Sequence, residues 1–369
     1  MRIKAKNLNK TFSILLSIIT IVIAFIPSKF NNTQSPKAYK AKVICVDNSN
    51  LEQYGIAKVG SQSLELEILN GKYKGEKVGG TNLLMGKMEL DSVYQEGMKV
   101  LVTPYLKNNK IESVNVLGKY RINIEIFLIV FFGAFLLIFA GWTGFKALIS
   151  FCFSGVMIFK VLLPLFLLGY NPIFISMIIV IILSFVVLFI IGEFSKKGLA
   201  AFLGTASGIV ITCILSIIFT NLMHISGAVK PFMETLLYSG YSHLNITNIF
   251  ISGIFLSASG ALMDISMDVA ASMEEVHIHN PSLKESQLII SGLRVGRTVI
   301  GTMTTTLLLA YSSNYIGLLL VFLAQGTPIL QVLNLNYVSS EILNTVVGSF
   351  GLVLTAPLTA IIAGILYKK

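Results

Sequence analysis

A divide near position 121 constrains this chain more than any motif it carries. Upstream lies a hydrophilic stretch with short apolar alternations. Downstream come about seven long apolar runs between Ile124 and Tyr367, each long enough to cross the roughly 30 Å hydrocarbon core of a bilayer. A water-facing segment followed by a polytopic helical region is the only organisation that satisfies both halves. Composition agrees, with 54% apolar against 12% charged residues, far from a soluble globule. The net charge of +10 does not read as a nucleic-acid footprint, because no Arg-aromatic interleaving or nucleic-acid motif accompanies it. Basic residues collect instead at Arg2, Lys4, Lys6 and Lys10, in short connections between apolar runs, and at Lys368 and Lys369.

The apolar run Phe12 to Ile26 follows that basic N-terminus and ends at Pro27. It has the form of a signal-peptide core or a short anchor. No small-x-small cleavage site follows, so an uncleaved signal anchor over residues 1–27 is expected. Residues 28–121 should then be exported. Asn31 to Lys37 reads as a linker, and strand-like pieces follow at Tyr39–Val46, Ser63–Leu69, Lys99–Tyr105 and Ile111–Val116. Ser63 to Ile68 alternates polar and apolar residues at period two, as a half-buried strand does. Asn70-Gly71 and Asn108-Asn109 mark turns. Four or five short strands predict a small all-β domain, a barrel or sandwich of OB-like type. It holds only Cys45; Cys152 and Cys213 fall in apolar runs, which excludes a disulfide within the exported segment.

Residues 122–369 predict seven spans near 123–141, 146–168, 172–192, 199–222, 246–267, 298–322 and 344–367, helical because backbone groups in lipid must be satisfied internally. The fold class is therefore a polytopic α-helical membrane protein of about eight spans, anchor included, with an extracytoplasmic β domain. Lys196, Lys197, Lys284, Arg294, Arg297, Lys368 and Lys369 fall on one side of the spans, whereas Lys230 is nearly alone on the other. The positive-inside bias puts both termini in the cytoplasm and residues 28–121 outside, in a multi-pass protein of the plasma membrane.

Within 246–267 the small and acidic residues Gly253, Ser257, Gly260, Asp264 and Asp268 recur at three- and four-residue steps, so they share one helix face. Small residues permit close helix approach. Carboxylates left in hydrocarbon are costly, so Asp264 and Asp268 need a partner or a wet cavity. A cation or proton site is one reading. The other is that both sit at the cytoplasmic interface and are hydrated there, and depth decides between them. Arg294 and Arg297 open the next span as counter-charges to the aspartates or as positive-inside anchors. Thr302, Thr304, Thr305 and Thr306 give that span hydroxyls that bond a neighbouring helix or line a pathway. Glu275, His277 and His279 do not read as a metal site, since on a helix only Glu275 and His279 share a face. Gly204 to Gly208 is a small-xxx-small packing face. No catalytic signature is present, and no cofactor, metal or nucleic acid is expected.

Several stretches together resemble the YibE/F-like family of bacterial multispan membrane proteins: Lys160-Val161-Leu162-Leu163-Pro164 with Gly169-Tyr170-Asn171-Pro172, Ser195-Lys196-Lys197, Gly260-Ala261-Leu262-Met263-Asp264, Ser272-Met273-Glu274-Glu275 and Arg294-Val295-Gly296-Arg297. In the exported segment Leu69 to Gly75 and Gly97 to Val100 resemble it too. The resemblance implies a signal anchor, an extracytoplasmic β domain and a permease-like helix bundle, with the family's aspartate at Asp264. The expected activity is movement of a small solute or ion through the helices starting near 246 and 298. There Asp264 would bind a cation or proton, Arg297 or Arg294 balance it, and Thr304 and Thr305 supply neutral ligands, with Asp268 and Ser257 as further candidates on the same path. The rival expectation is a non-transporting scaffold or sensor whose β domain binds an envelope ligand or partner. Expected partners are the lipid bilayer and a small solute or ion, with a homo-oligomer or membrane partner protein left open.

Overall fold

The computed structural model describes residues 2–26, 37–107 and 110–368. Residues 31–36 of the expected Asn31–Lys37 linker, Pro27, the Asn108-Asn109 turn and Lys369 lie outside the described residues, as do the side chains of Arg2, Lys4 and Lys6. The chain forms two compact units, residues 29–135 and residues 1–28 with 136–369.

The first unit is built on a closed barrel of five strands, β1 (Tyr39–Tyr54), β2 (Ala57–Ile68), β3 (Lys77–Met85), β4 (Lys99–Lys107) and β5 (Lys110–Lys119), in the order β1-β2-β3-β5-β4. All pairings are antiparallel except β3 with β5, which gives a small Greek-key barrel. Its core is Val43, Leu66, Ile68, Val100 and Val102, all fully buried. The segment between β3 and β4 is tied down by a closed amide network. Gln62, itself fully buried, donates to the Tyr94 carbonyl and accepts from the Tyr94 N–H and from Asn82, which also donates to the Ser92 carbonyl. Buried polar groups satisfied this completely hold a single arrangement.

No strand was expected at β3, where Gly79-Gly80 and Thr81-Asn82 interrupt any run of apolar residues. Gly80 is there for space: a Cβ would stand 2.8 Å from both Leu66 Cδ1 and Val114 Cγ2, at the point where β3 pairs with β5. Gly80→Val is expected to destabilise the barrel by about 1–3 kcal/mol, the usual cost of overpacking a filled core. Denaturant unfolding of an isolated 37–121 fragment, followed by tyrosine fluorescence, would check it.

The remaining elements are helical: α1 (Arg2–Phe25), α2 (Ile122–Met157), a π-helical turn (Ile158–Leu162), α3 (Leu163–Leu167), α4 (Pro172–Gly192), α5 (Lys196–Leu222), α6 (Met233–Tyr238), α7 (Ile246–His279), α8 (Glu285–Ser312), α9 (Ile316–Ala324), α10 (Ile329–Leu333) and α11 (Asn336–Lys368). Residues 122–135 of α2 belong to the first unit, and the rest of α2 and the other helices make up the second. The helix starts follow from local chemistry. Asn171, followed by Pro172, accepts from the Ile173 N–H at 3.0 Å; Ser195 accepts from Gly198 at 3.2 Å; Asn245 accepts from Asn248 at 2.9 Å. Each side chain satisfies a donor left without an intrahelical partner. The π turn ends at Pro164, which has no N–H to continue the ladder; the Leu163 N–H reaches back to the Ile158 carbonyl.

Helices α5, α7, α8 and α11 form the core. Gly204 and Gly208 of α5 receive Thr359 and Thr355 of α11, and Gly351 of α11 receives Thr212 of α5, each so closely that a Cβ would stand about 2 Å from a hydroxyl oxygen. Gly292 and Gly296 of α8 meet Ala360 and Ala356 of α11. These pairings make α5 and α8 antiparallel to α11. Ser257 near Asn344, Ser266 bonded to Thr359 and Ala270 bonded to Tyr367 run α7 parallel to it. The small-residue face expected at Gly204–Gly208 is thus a packing face, where dispersion between close backbones replaces a hydrophobic driving force.

Among the described residues five helical segments are long and apolar enough to cross a bilayer, six if the bent pair α8–α9 counts as one; about eight spans were expected. Three differences account for the gap. The expected spans 123–141 and 146–168 run on without a loop from α2 into α3. Their division is a bend at Gly141, whose φ of 53° and ψ of −125° are closed to most side chains. The expected span 298–322 breaks at Ser313–Tyr315, where α9 leaves α8 at 67°. The apolar part of α1, Asn9–Phe25, is short, about 26 Å at 1.5 Å per residue. It still packs along the bundle: Asn9 donates to the Ile190 carbonyl at 3.2 Å, and Lys160 reaches the Ile26 carbonyl at 3.2 Å.

Candidate functional site

Helix α7 is about 51 Å long at 1.5 Å per residue, far more than a bilayer core requires. One of its faces, carrying Phe255, Ala258, Leu262, Ile265 and Val269, is fully buried in the core. The polar stripe read from sequence lies elsewhere on the same helix: Gly253, Ser257, Gly260, Asp264 and Asp268 are all exposed. Packing against α5 and α11 has claimed the oily side and left this stripe outside the core.

Asp264 and Asp268 open onto a cleft of about 500 Å³ between α4, α7 and α8, with Val187 and Ile191 on one wall and Val299, Thr302 and Met303 on the other. Met263 and Met267 line it too, so the cleft holds three thioethers beside two carboxylates. Neither carboxylate forms an ion pair among the described residues. Arg294 and Arg297 are exposed, do not line the cleft, and form no ion pair either. The threonine facing the carboxylates is Thr302. Thr304 is half-buried and donates to its own helix at the Ile300 carbonyl, 2.9 Å away, and Thr305 is exposed outside the cleft.

Ser257 belongs to a different neighbourhood. Its hydroxyl donates to the Ile254 carbonyl at 2.9 Å, stands 3.4 Å from Asn344 Oδ1 and accepts from Tyr311 at 3.3 Å. Close by, Lys230 forms an ion pair with Glu341 of α11. Sequence reading passed over Glu341, Asn344 and Tyr311, although one signal was present. Glu341 is the only acidic residue after Glu285, and Lys230 the only basic one between Lys197 and Lys284. Two solitary opposite charges in an oily sequence are candidates for each other.

Ion pairs and caps gather the charged ends of the bundle. Lys197 at the start of α5 meets Glu274 near the end of α7 at 3.1 Å, Lys146 meets Glu193 at 3.4 Å, and Lys368 donates to the Pro281 carbonyl at 2.8 Å. Lys10 of α1 lies 5.9 Å from the Trp142 ring. Glu275 and His279, one turn apart and exposed, approach to 3.7 Å. Among the described residues no three His, Cys, Asp or Glu side chains gather as metal ligands do.

Residues 128–369 match the model of the YibE/F-like protein family, and residues 34–119 match the YibE/F family N-terminal domain. The chain belongs to the YibE/F-like family. The two matches fall on the helical region and the barrel in turn, so the division seen in hydropathy is the family's own. No curated protein and no solved structure matches this YibE/F-family chain. Membership and the apolar helices together mark a membrane-embedded protein.

Proposed function

We propose that this YibE/F-family chain moves a small solute or ion across a bacterial cytoplasmic membrane, with Asp264 as the residue that binds a cation or proton. The observation that carries the reading is a pair of carboxylates on a bilayer-length helix, free of ion partners and open to a cleft of about 500 Å³. Ionisable groups at such a position are costly and are kept for ion or proton traffic. Asp268, one turn further on, extends the negative field toward the charged end of α7, and Thr302 supplies the neutral oxygen assigned from sequence to Thr304 and Thr305.

The sidedness follows from the same reading. Lys10, Lys146, Lys197 and Lys368 gather at one end of the bundle, with Lys230 toward the other. The positive-inside bias makes the basic end cytoplasmic. Eight crossings result: α1, the two arms divided at Gly141, α4, α5, α7, the bent α8–α9 pair and α11. Residues 28–121, which follow α1, are then extracytoplasmic.

The test is ion flux into proteoliposomes loaded with a pH-sensitive dye, under imposed gradients of H⁺, Na⁺, K⁺ and Mg²⁺. Asp264→Asn is expected to cut the protein-dependent flux at least tenfold while the elution profile stays that of the parent. Parent flux no higher than that of empty liposomes, or unchanged flux in the variant, would remove the assignment.

A second reading is favoured by the barrel surface. Val59 and Met85 pair across β2 and β3, Leu83 lies on the same face, and all three are exposed beside exposed Ile56 and Met88. Exposed apolar side chains grouped in this way favour association. In this reading the exported domain docks an envelope partner and the bundle anchors it. Leu83→Glu would then abolish the function in cells, and the parent protein would give no more liposome flux than empty liposomes.

A further inference from the structure

Beside the N-terminal half of α7 lies a second cavity, of about 280 Å³, near the lower end of the roughly 300–1,000 Å³ typical of small-molecule sites. Most of its wall is apolar, with Leu162 from the π turn, Phe166 from α3, and Ile254 and Leu256 from α7. Ser176 of α4, Ser252 and Ser257 of α7, Lys230 and Asn344 are the polar exceptions. A greasy chamber with a few converging polar groups is the usual form of an organic-ligand pocket.

Ser176 is the informative residue. It is fully buried, lines the cavity, and its hydroxyl has no hydrogen-bond partner. Of the four buried hydroxyls without a partner among the described residues, on Ser176, Ser184, Thr220 and Thr345, only that of Ser176 borders this cavity. Several others return to their own helix: Ser252 donates to the Asn248 carbonyl at 2.8 Å, Thr212 to Gly208 at 2.8 Å, Thr355 to Gly351 at 2.7 Å. That is the ordinary outcome for a hydroxyl inside a helix, and Ser176 departs from it at the edge of an open volume. An unpaired buried hydroxyl is costly, and a ligand's polar group placed in the cavity would remove the cost.

The charge on the wall selects the ligand. Lys230 is the only ionic side chain there, and its ammonium is already held by Glu341 and lies 5.5 Å from the Phe250 ring. An ionic ligand would enter a low-dielectric space without a counter-charge of its own. A neutral one meets no such penalty.

We propose that this cavity binds an uncharged amphiphile, its single hydroxyl or amide head seated between Ser176 and Asn344 and its apolar body against Leu162, Phe166 and Leu256. The site is separate from the aspartate cleft and does not rest on the transport reading, because binding needs neither gradient nor flux. A head of this chemistry is available from a free solute or from a membrane lipid.

The experiment is photolabelling of the full-length protein in nanodiscs with a diazirine-bearing 1-octanol, the adducts mapped by mass spectrometry. Adducts are expected to concentrate on residues 158–166 and 249–257. Unlabelled 1-octanol should displace them, and octanoate and octylammonium should do so at least tenfold less well. Ser176→Ala should lower labelling at least fivefold. Ser184→Ala is the control, since Ser184 is equally buried and unpartnered but off the cavity wall. If Ser176→Ala does not fold, Leu256→Trp, which fills the chamber from a half-buried position, should abolish labelling instead. Displacement by monoolein would identify a lipid-borne head, displacement by octanol alone a free solute, and both support the site. Adducts spread evenly along the helices, equal competition by octanoate, or equal effects of the two serine variants would overturn it.

Discussion

Gly208→Leu is expected to abolish the stable fold of the helical unit. A Cβ at this position alone would stand 1.9 Å from Thr355 Oγ1 and 3.1 Å from Leu262 Cδ2. The threonine has nowhere to go: it is fully buried and its hydroxyl is already bonded to the Gly351 carbonyl at 2.7 Å. The variant must therefore push α5 away from α11, losing the Gly204–Thr359 and Thr212–Gly351 contacts in the same movement. Overpacking of a filled core costs about 1–3 kcal/mol for modest insertions, and a four-carbon side chain at a helix seam belongs at or above the upper end. Thermal melting of the detergent-purified protein, with monodispersity on size exclusion, is the measurement. Gly253→Leu, on the exposed stripe of α7 with nothing within 4 Å of a Cβ, should leave both readouts near the parent and serves as the control. A parent-like melt for Gly208→Leu would show that the α5–α11 seam does not hold the bundle together.

The second large effect is expected at the Lys230–Glu341 pair. Lys230 is 29% and Glu341 13% exposed at the side chain, and Glu341 Oε2 is buried with no partner of its own. The carboxylate therefore depends on the lysine for its compensation. Lys230→Met should destabilise the protein by about 2–3 kcal/mol, somewhat below the 3–5 kcal/mol of a fully buried pair because some water reaches it. Glu341→Leu should cost less, since the freed ammonium can extend toward solvent. The double substitution should recover most of the loss, because replacing a whole ion pair by apolar groups is often neutral. A double-mutant cycle on melting free energies gives the coupling directly. Additive losses would mean that the two charges are solvated independently.

Some of this architecture was readable without coordinates. The expected 172–192 and 199–222 spans appear as Pro172–Gly192 and Lys196–Leu222, because each is one uncharged, mainly apolar run with polar residues at both ends. The barrel was expected as four or five strands, yet β3 was invisible. Its Gly80 reports a contact with Leu66 and Val114, residues distant in sequence. The break after Ser312 was missed for a related reason, since hydropathy continues smoothly from α8 into α9 while the backbone turns. At the candidate site, Asp264 and Asp268 were legible as a helical stripe, but the choice of Thr302 over Thr304 and Thr305 was not. Rotation of α8 about its axis depends on Gly292 and Gly296 seating against α11.

Sequence by itself determined that this chain is a small β domain joined to membrane helices, that small residues and two aspartates share one face of α7, and which family it resembles. Those properties depend on composition, on periods of 2.0 and 3.6 residues, and on caps a few residues long. Only the tertiary structure decided which faces are covered, that Lys230 finds Glu341 across 111 positions, and that Ser176 is left unpaired beside an open volume. Pairing of that kind depends on which helices neighbour one another and at what rotation. Both are set by the summed fit of many small side chains, no one of which announces its partner.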